Sequence, residues 1–240
     1  MTGGEVRVFD LRAEPCELAA GRWNSRRRRA AAEIRGVVLH QWGTSVDTTA
    51  GDRMRLGEPL ALARRALRAP YTVACGVTDA GVPVVSVAHP LERYTYASDA
   101  GNANYLAIGV MARLPFAAEE HHPVRHAAWT DAMEAALHRA LEVAVCLVEG
   151  APLDDLTLPD APLALITHRQ CANEPHDHFT CSGEHVVAAS LRSESVRAGV
   201  LIPDPDLVIL PKYGKTWPDA WRRHLPKQAA LDFGAPLIGA

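Results

Sequence analysis

Three short runs are apolar on nearly every residue rather than on every second one: residues 34–40 (IRGVVLH), 105–112 (YLAIGVMA) and 163–167 (LALIT). A strand with one wet face alternates, so strands of this kind must be covered on both faces. The covering layers are legible between them. Residues 59–69, rich in Ala, Leu and Arg, have helical propensity and stop at Pro70. Residues 124–148 carry apolar side chains three and four apart (Ala128, Ala132, Ala135, Ala136, Leu141, Val145), as one long amphipathic helix does, and 183–197 reads as another helix. Segments 71–77 and 82–87 flank Thr-Asp-Ala-Gly at 78–81 and pair as an antiparallel hairpin. Strands and helices interleave, so the expected fold is α/β, a mixed central β-sheet flanked by helices.

The 240 residues suit one large domain with an extension, burying roughly 70–75% of the unfolded surface. Residues 1–199 form the domain, with 1–33 as a lead-in segment. Beyond Gly199 the composition changes: Pro203, Pro205, Pro211, Pro218, Pro226 and Pro236 follow in quick succession. Residues 200–240 are therefore expected as a proline-rich C-terminal extension packed on the domain, with one helical piece at 218–225 opening on proline.

Charge removes some partners. Twenty-five basic against 28 acidic residues leave a net charge of −3, so nucleic acid is not an expected partner. The run Arg26 to Arg29 is read as a solvated loop before the first strand. No apolar stretch reaches the roughly 18 residues of a membrane span. The N-terminal segment lacks the basic start and apolar core of a secretory signal, so a cytoplasmic location or export by a non-classical route is expected. Five cysteines at irregular spacing (Cys16, Cys75, Cys146, Cys171, Cys181) do not describe a disulfide framework and read as reduced thiols or metal ligands. Cys75 and Cys146, in apolar runs, read as buried thiols. Nothing in the sequence sets an oligomeric state.

His40 ends one apolar strand and His168 follows another, where side chains of adjacent strands converge at a sheet edge. Cys181 follows His168 by 13 positions (181 − 168), inside a Cys-Ser-Gly turn that can return a thiolate to the same point. Two imidazoles, one thiolate and an open fourth position make a catalytic rather than a structural zinc arrangement. A lone histidine on an apolar strand is more often a satisfied core residue, and the third ligand stays open. His176 and His178 form an H-x-H pair on the same loop, and Cys171 is near in sequence. His121, His122, His126 and His138 read as a solvated helix face.

The chain resembles the zinc-dependent N-acetylmuramoyl-L-alanine amidases of the type 2 family, which includes the peptidoglycan recognition proteins. Four motifs from Ile34 to about Trp221 carry the resemblance: VVLHQWGTS, PYTVACGVTDAGVPVVSV, GNANYLAIGVM, and LITHRQC with CSG. The phrase DPDLVILPKYGKTWPDAW resembles extensions of some bacterial members. The resemblance implies His40, His168 and Cys181 as ligands of Zn2+, Tyr71 as a stabiliser of the transition state, and peptidoglycan or muropeptides as substrate. Trp42, Asp99 and Asn104 are candidate substrate-binding residues. The chain also departs from the family. Met111 stands where many members have a glutamate, Phe179 where many have a lysine, and Asp99 opens a segment that often reads His-Ala-Gly. His178, or failing it His176, is the candidate to replace the missing cation as proton donor.

The function this implies is zinc-dependent hydrolysis of the amide between the lactyl group of N-acetylmuramic acid and L-alanine. Two alternatives stay open: a weak or inactive muropeptide-binding module, and a zinc amidase of the same scaffold acting on another amide.

Overall fold

A computed structural model describes residues 5–19, 21, 23–41, 58–111, 129–154, 161–173 and 181–226. Its strands are β1 (Arg7–Asp10), β2 (Trp23–Arg28), β3 (Gly36–Gln41), β4 (Val73–Val77), β5 (Pro83–Val87), β6 (Arg93–Thr95), β7 (Tyr105–Val110), β8 (Leu163–Thr167) and β9 (Leu201–Pro203). Its helices are α1 (Pro59–Arg65), which tightens into a 3-10 turn at Ala66–Arg68, α2 (Asp131–Glu149), α3 (His168–Cys171), α4 (Glu184–Ser190), α5 (Glu194–Arg197) and α6 (Asp219–Arg222). Seven strands form one sheet in the order β1-β5-β4-β7-β3-β8-β9, while β2 and β6 make a separate antiparallel ribbon. Every pairing in the large sheet is parallel except β4 with β5. The fold is thus the expected mixed sheet between helical layers, and none of the described helices is long and apolar enough to cross a membrane.

Alternation decides which side chain meets which layer. Val37 and Leu39 of β3, Leu106 and Ile108 of β7, and Leu165 of β8 face the same way and pack with Ala136, Leu137, Ala140, Leu141 and Ala144 of α2. Val38 and Ile166 point oppositely and meet Tyr105 and Cys171. His40 continues the series of Val38, so it lies on the face away from α2. The strands lie close together: a Cβ at Gly36 would collide with the Ala164 carbonyl of β8.

The structure differs from several expectations for identifiable reasons. Arg26 to Arg29 do not form a solvated loop; β2 runs through Arg28, and Arg29 is buried. Its guanidinium donates to the carbonyls of Leu91 (2.6 Å), Asn102 (3.2 Å) and Tyr105 (2.9 Å) and to Thr72 Oγ1 (2.9 Å). These acceptors hold the charge while burial lowers its pKa to about 10. The lead-in supplies an edge strand, β1, in parallel register with β5. The long helix begins at Asp131 rather than near 124, because Thr130 is extended and its side chain accepts from Met133 N–H. Residues 124–128 lie outside the described residues. The helix expected over 183–197 is two helices, with Ser193 Oγ capping the second by accepting from Val196 N–H. The extension contributes β9 to the sheet beside β8, and its helix is confined to Asp219–Arg222 with Pro218 as N-cap.

Candidate metal centre

β3 and β8 are parallel neighbours with Leu39 opposite Thr167, so their carboxyl ends deliver His40 and His168 side by side. The crevice outside the carboxyl ends of an open sheet is where such folds place ligands. The ring centroids of the two histidines lie 4.3 Å apart. Cys181 returns over the same edge and is pinned from both sides. Gln41 N–H donates to its Sγ at 3.3 Å, and its carbonyl accepts from Arg169 N–H at 3.3 Å. The potential ligand atoms of His40, His168 and Cys181 all lie within 4.8 Å of one another, the one such group among the described residues. All three are buried, at 1%, 4% and 9% exposure, so an ion there would be drawn largely out of solvent.

The segment between β6 and β7 starts at this edge. Ser98 Oγ lies 2.9 Å from His40 Nε2, and Asp99 Oδ2 lies 3.1 Å from His168 Nε2. Burial opposes protonation of His168, but the hydrogen bonds that the ring makes to Asp99 and Cys181 outweigh it and raise its pKa to about 9. The surroundings of the ring therefore favour positive charge. Two imidazoles, a thiol and a flanking carboxylate are the donor chemistry that suits a borderline-soft divalent ion. The residues present fit a metal.

Tyr71 lies just before β4, its ring centroid 5.1 Å from that of His40. The ring sits over Gly109, the register partner of His40, where a Cβ would overlap Cγ and Cδ2 of the tyrosine. Met111, two residues on, packs with Ala66, Ala74 and Ala88. The structure places Asp99 on His168. It places Asn104 at the opposite, amino end of β7, where its side-chain N–H donates to the Glu33 carbonyl at 3.0 Å. Asn104 is not brought to the metal crevice. Trp42, His176, His178 and Phe179 lie outside the described residues, as do His121, His122 and His126. His138 is not on a solvated face; it is half-buried with Nε2 2.9 Å from the Ala189 carbonyl of α4. Cys171 is buried against Gly101, its thiol pKa pushed up by burial, and it does not join the ligand group. Cys75 and Cys146 are buried.

Gln170, in the turn that His168 opens, carried no sequence signal. Its amide donates to the carbonyls of Asp204 and Leu207, both at 2.7 Å. Its Oε1 accepts from Thr167 N–H (2.8 Å), Thr167 Oγ1 (3.1 Å) and Trp217 Nε1 (2.6 Å). The extension is thereby bonded to the turn that carries the second histidine.

No family profile and no curated protein matches the chain. Among solved structures it is similar to the Ph2119 endolysin from Thermus scotoductus MAT2119 bacteriophage Ph2119, with 17% identity and a TM-score of 0.40 over 77% of this chain and 99% of that one. It is also similar to the endolysin N-acetylmuramoyl-L-alanine amidase LysCS from Clostridium intestinale URNW, with 13% identity and a TM-score of 0.37 over 76% of this chain and 93% of that one. At these values the superpositions are loose, and the chemistry below rests on this chain's own residues.

Proposed function

We propose that the chain is a zinc-dependent amidase that hydrolyses the bond between the lactyl group of N-acetylmuramic acid and L-alanine in peptidoglycan or muropeptides. The observation that carries this reading is the convergence of His40, His168 and Cys181 at one sheet edge with the Tyr71 ring beside them. The substrate class comes from the four sequence motifs.

In this reading His40, His168 and the Cys181 thiolate hold Zn2+. When bound, the ion would polarise the scissile carbonyl and acidify water. The protein residues do the rest. Tyr71, fixed over Gly109, donates its phenol to the carbonyl oxygen as negative charge develops there. Met111 offers no base; its side chain packs on Ala66, Ala74 and Ala88. His178, on the segment between α3 and Cys181, protonates the leaving amine.

Metal analysis together with mass spectrometry of digested muropeptides tests the reading. The expected result is about one zinc per chain and free stem peptides that begin with L-alanine. A chain without bound zinc overturns it. Zinc with intact muropeptides assigns the chain to binding rather than cleavage, and cleavage of other amides alone moves the substrate class.

A further inference from the structure

Two consecutive residues each hold one histidine of the centre. Ser98 Oγ meets His40 Nε2 at 2.9 Å across 58 residues of sequence, and Asp99 Oδ2 meets His168 Nε2 at 3.1 Å across 69. Both contacts use the same ring nitrogen. The turn that carries them is itself fixed. Asn102 Oδ1 accepts from the N–H groups of Ala97 (2.9 Å) and Ser98 (2.6 Å). Gly101 lies against Cys171, where a Cβ would come within 2.9 Å of Sγ. Asp99 also stands at φ 46°, the one positive φ outside glycine among the described residues. A side chain held in this left-handed region costs energy, although aspartate tolerates it better than most. Glycine would relieve that cost but would bring no carboxylate to His168.

We propose that Ser98 and Asp99 are the positioning pair of the metal centre: by engaging Nε2 of both rings they fix the tautomers and orient His40 and His168 to present Nδ1 to the ion. The inference rests on the metal reading above. Asp99 accepts the Nε2–H of His168, which locks the ring and increases its basicity as a ligand. Ser98 accepts the Nε2–H of His40 through a neutral hydroxyl, so it orients the ring with less electronic effect. The effects of the two residues on metal affinity should differ accordingly.

The test is zinc affinity of the full chain, by competition with a chromogenic chelator, together with two-bond 1H–15N correlation spectra of the zinc-loaded imidazoles. The spectra are expected to show both rings metallated at Nδ1 and protonated at Nε2. Asp99→Gly fits the backbone, so its unfolding midpoint should hold or rise while zinc affinity falls about 10- to 100-fold. Asp99→Asn, which keeps an acceptor without the charge, should lose less. Ser98→Ala should weaken zinc less than Asp99→Gly, and Ser98→Thr should restore it. Wild-type affinity in both Asp99→Gly and Ser98→Ala, or metal on Nε2 of either ring, overturns the pair while leaving the metal centre standing. A wild-type chain that takes up no zinc overturns the metal reading itself.

Discussion

At position 109 a single hydrogen atom in place of a side chain decides where Tyr71 lies. Gly109→Ala puts a methyl group into the space of the tyrosine ring. Overpacking of this kind is expected to cost about 1–3 kcal/mol, read from denaturant midpoints, and to lower turnover by displacing the phenol. Tyr71→Phe separates the two effects. It keeps the ring, so stability and zinc content should hold while turnover drops roughly 10- to 1000-fold, the scale of a lost oxyanion donor. His89 gives the pH dependence. It is buried with Nε2 2.8 Å from the Ala69 carbonyl and Nδ1 3.1 Å from the Arg93 guanidinium. Burial, with a smaller contribution from Arg93, lowers its pKa to about 4 against the bond to Ala69. The unfolded chain therefore binds this proton more readily. Stability is fully present above about pH 6.5 and falls by on the order of 3 kcal/mol as pH drops toward 4. In unfolding measured at successive pH values, His89→Gln should show a correspondingly flatter curve.

Individual elements show how much the sequence could reveal. The strands β3, β7 and β8 and the β4–β5 hairpin were legible because burial on both faces or a turn sequence marks them locally. The edge strands β1 and β9 were not, since four residues (RVFD) and three (LIP) are too short to display a pattern. Arg29 was misread because what shelters it comes from carbonyls 62 to 76 residues away. The same holds in the candidate site. His40 and His168 announce themselves by residue type at strand ends and Cys181 by its place in a turn downstream, whereas Ser98 and Gly109 matter only through partners that pairing brings near. Helix ends sit between these cases. Thr130 is an ordinary cap in sequence, and only its extended backbone shows that α2 begins there. Thr130→Ala removes the acceptor for Met133 N–H and should lower unfolding stability by about 1 kcal/mol without altering zinc content.

Across the whole molecule, the extension and the site are one structure. Gln170 is fully buried and bonded to Thr167, Asp204, Leu207 and Trp217. Trp217→Phe removes one donor and leaves Gln170 satisfied by Thr167, at an expected cost of about 1 kcal/mol. Gln170→Leu takes the acceptor from the buried Trp217 N–H and from the Thr167 N–H and hydroxyl, and the donor from two carbonyls, and should cost more, about 1–3 kcal/mol for each group left without water. Hydrogen exchange reads the difference directly. The amides of Ile209 and Lys215, which donate to the Gln170 and Arg169 carbonyls, should exchange faster in Gln170→Leu than in Trp217→Phe.

The contact between Gln41 and Cys181 closes 140 residues of chain, and the β3–β8 pairing that aligns the histidines is nearly as distant in sequence. During synthesis β3 leaves the ribosome long before β8, Cys181 and Trp217 exist to meet it. Such non-local parallel pairing is slow to form, because chain closure must be achieved before any contact repays it. His40 thus spends the nascent stage as a strand-end imidazole without its two companions. A chain stopped before Cys181 would carry only part of the proposed ligand set, so capture of the proposed ion would come at the end of assembly rather than at its nucleus.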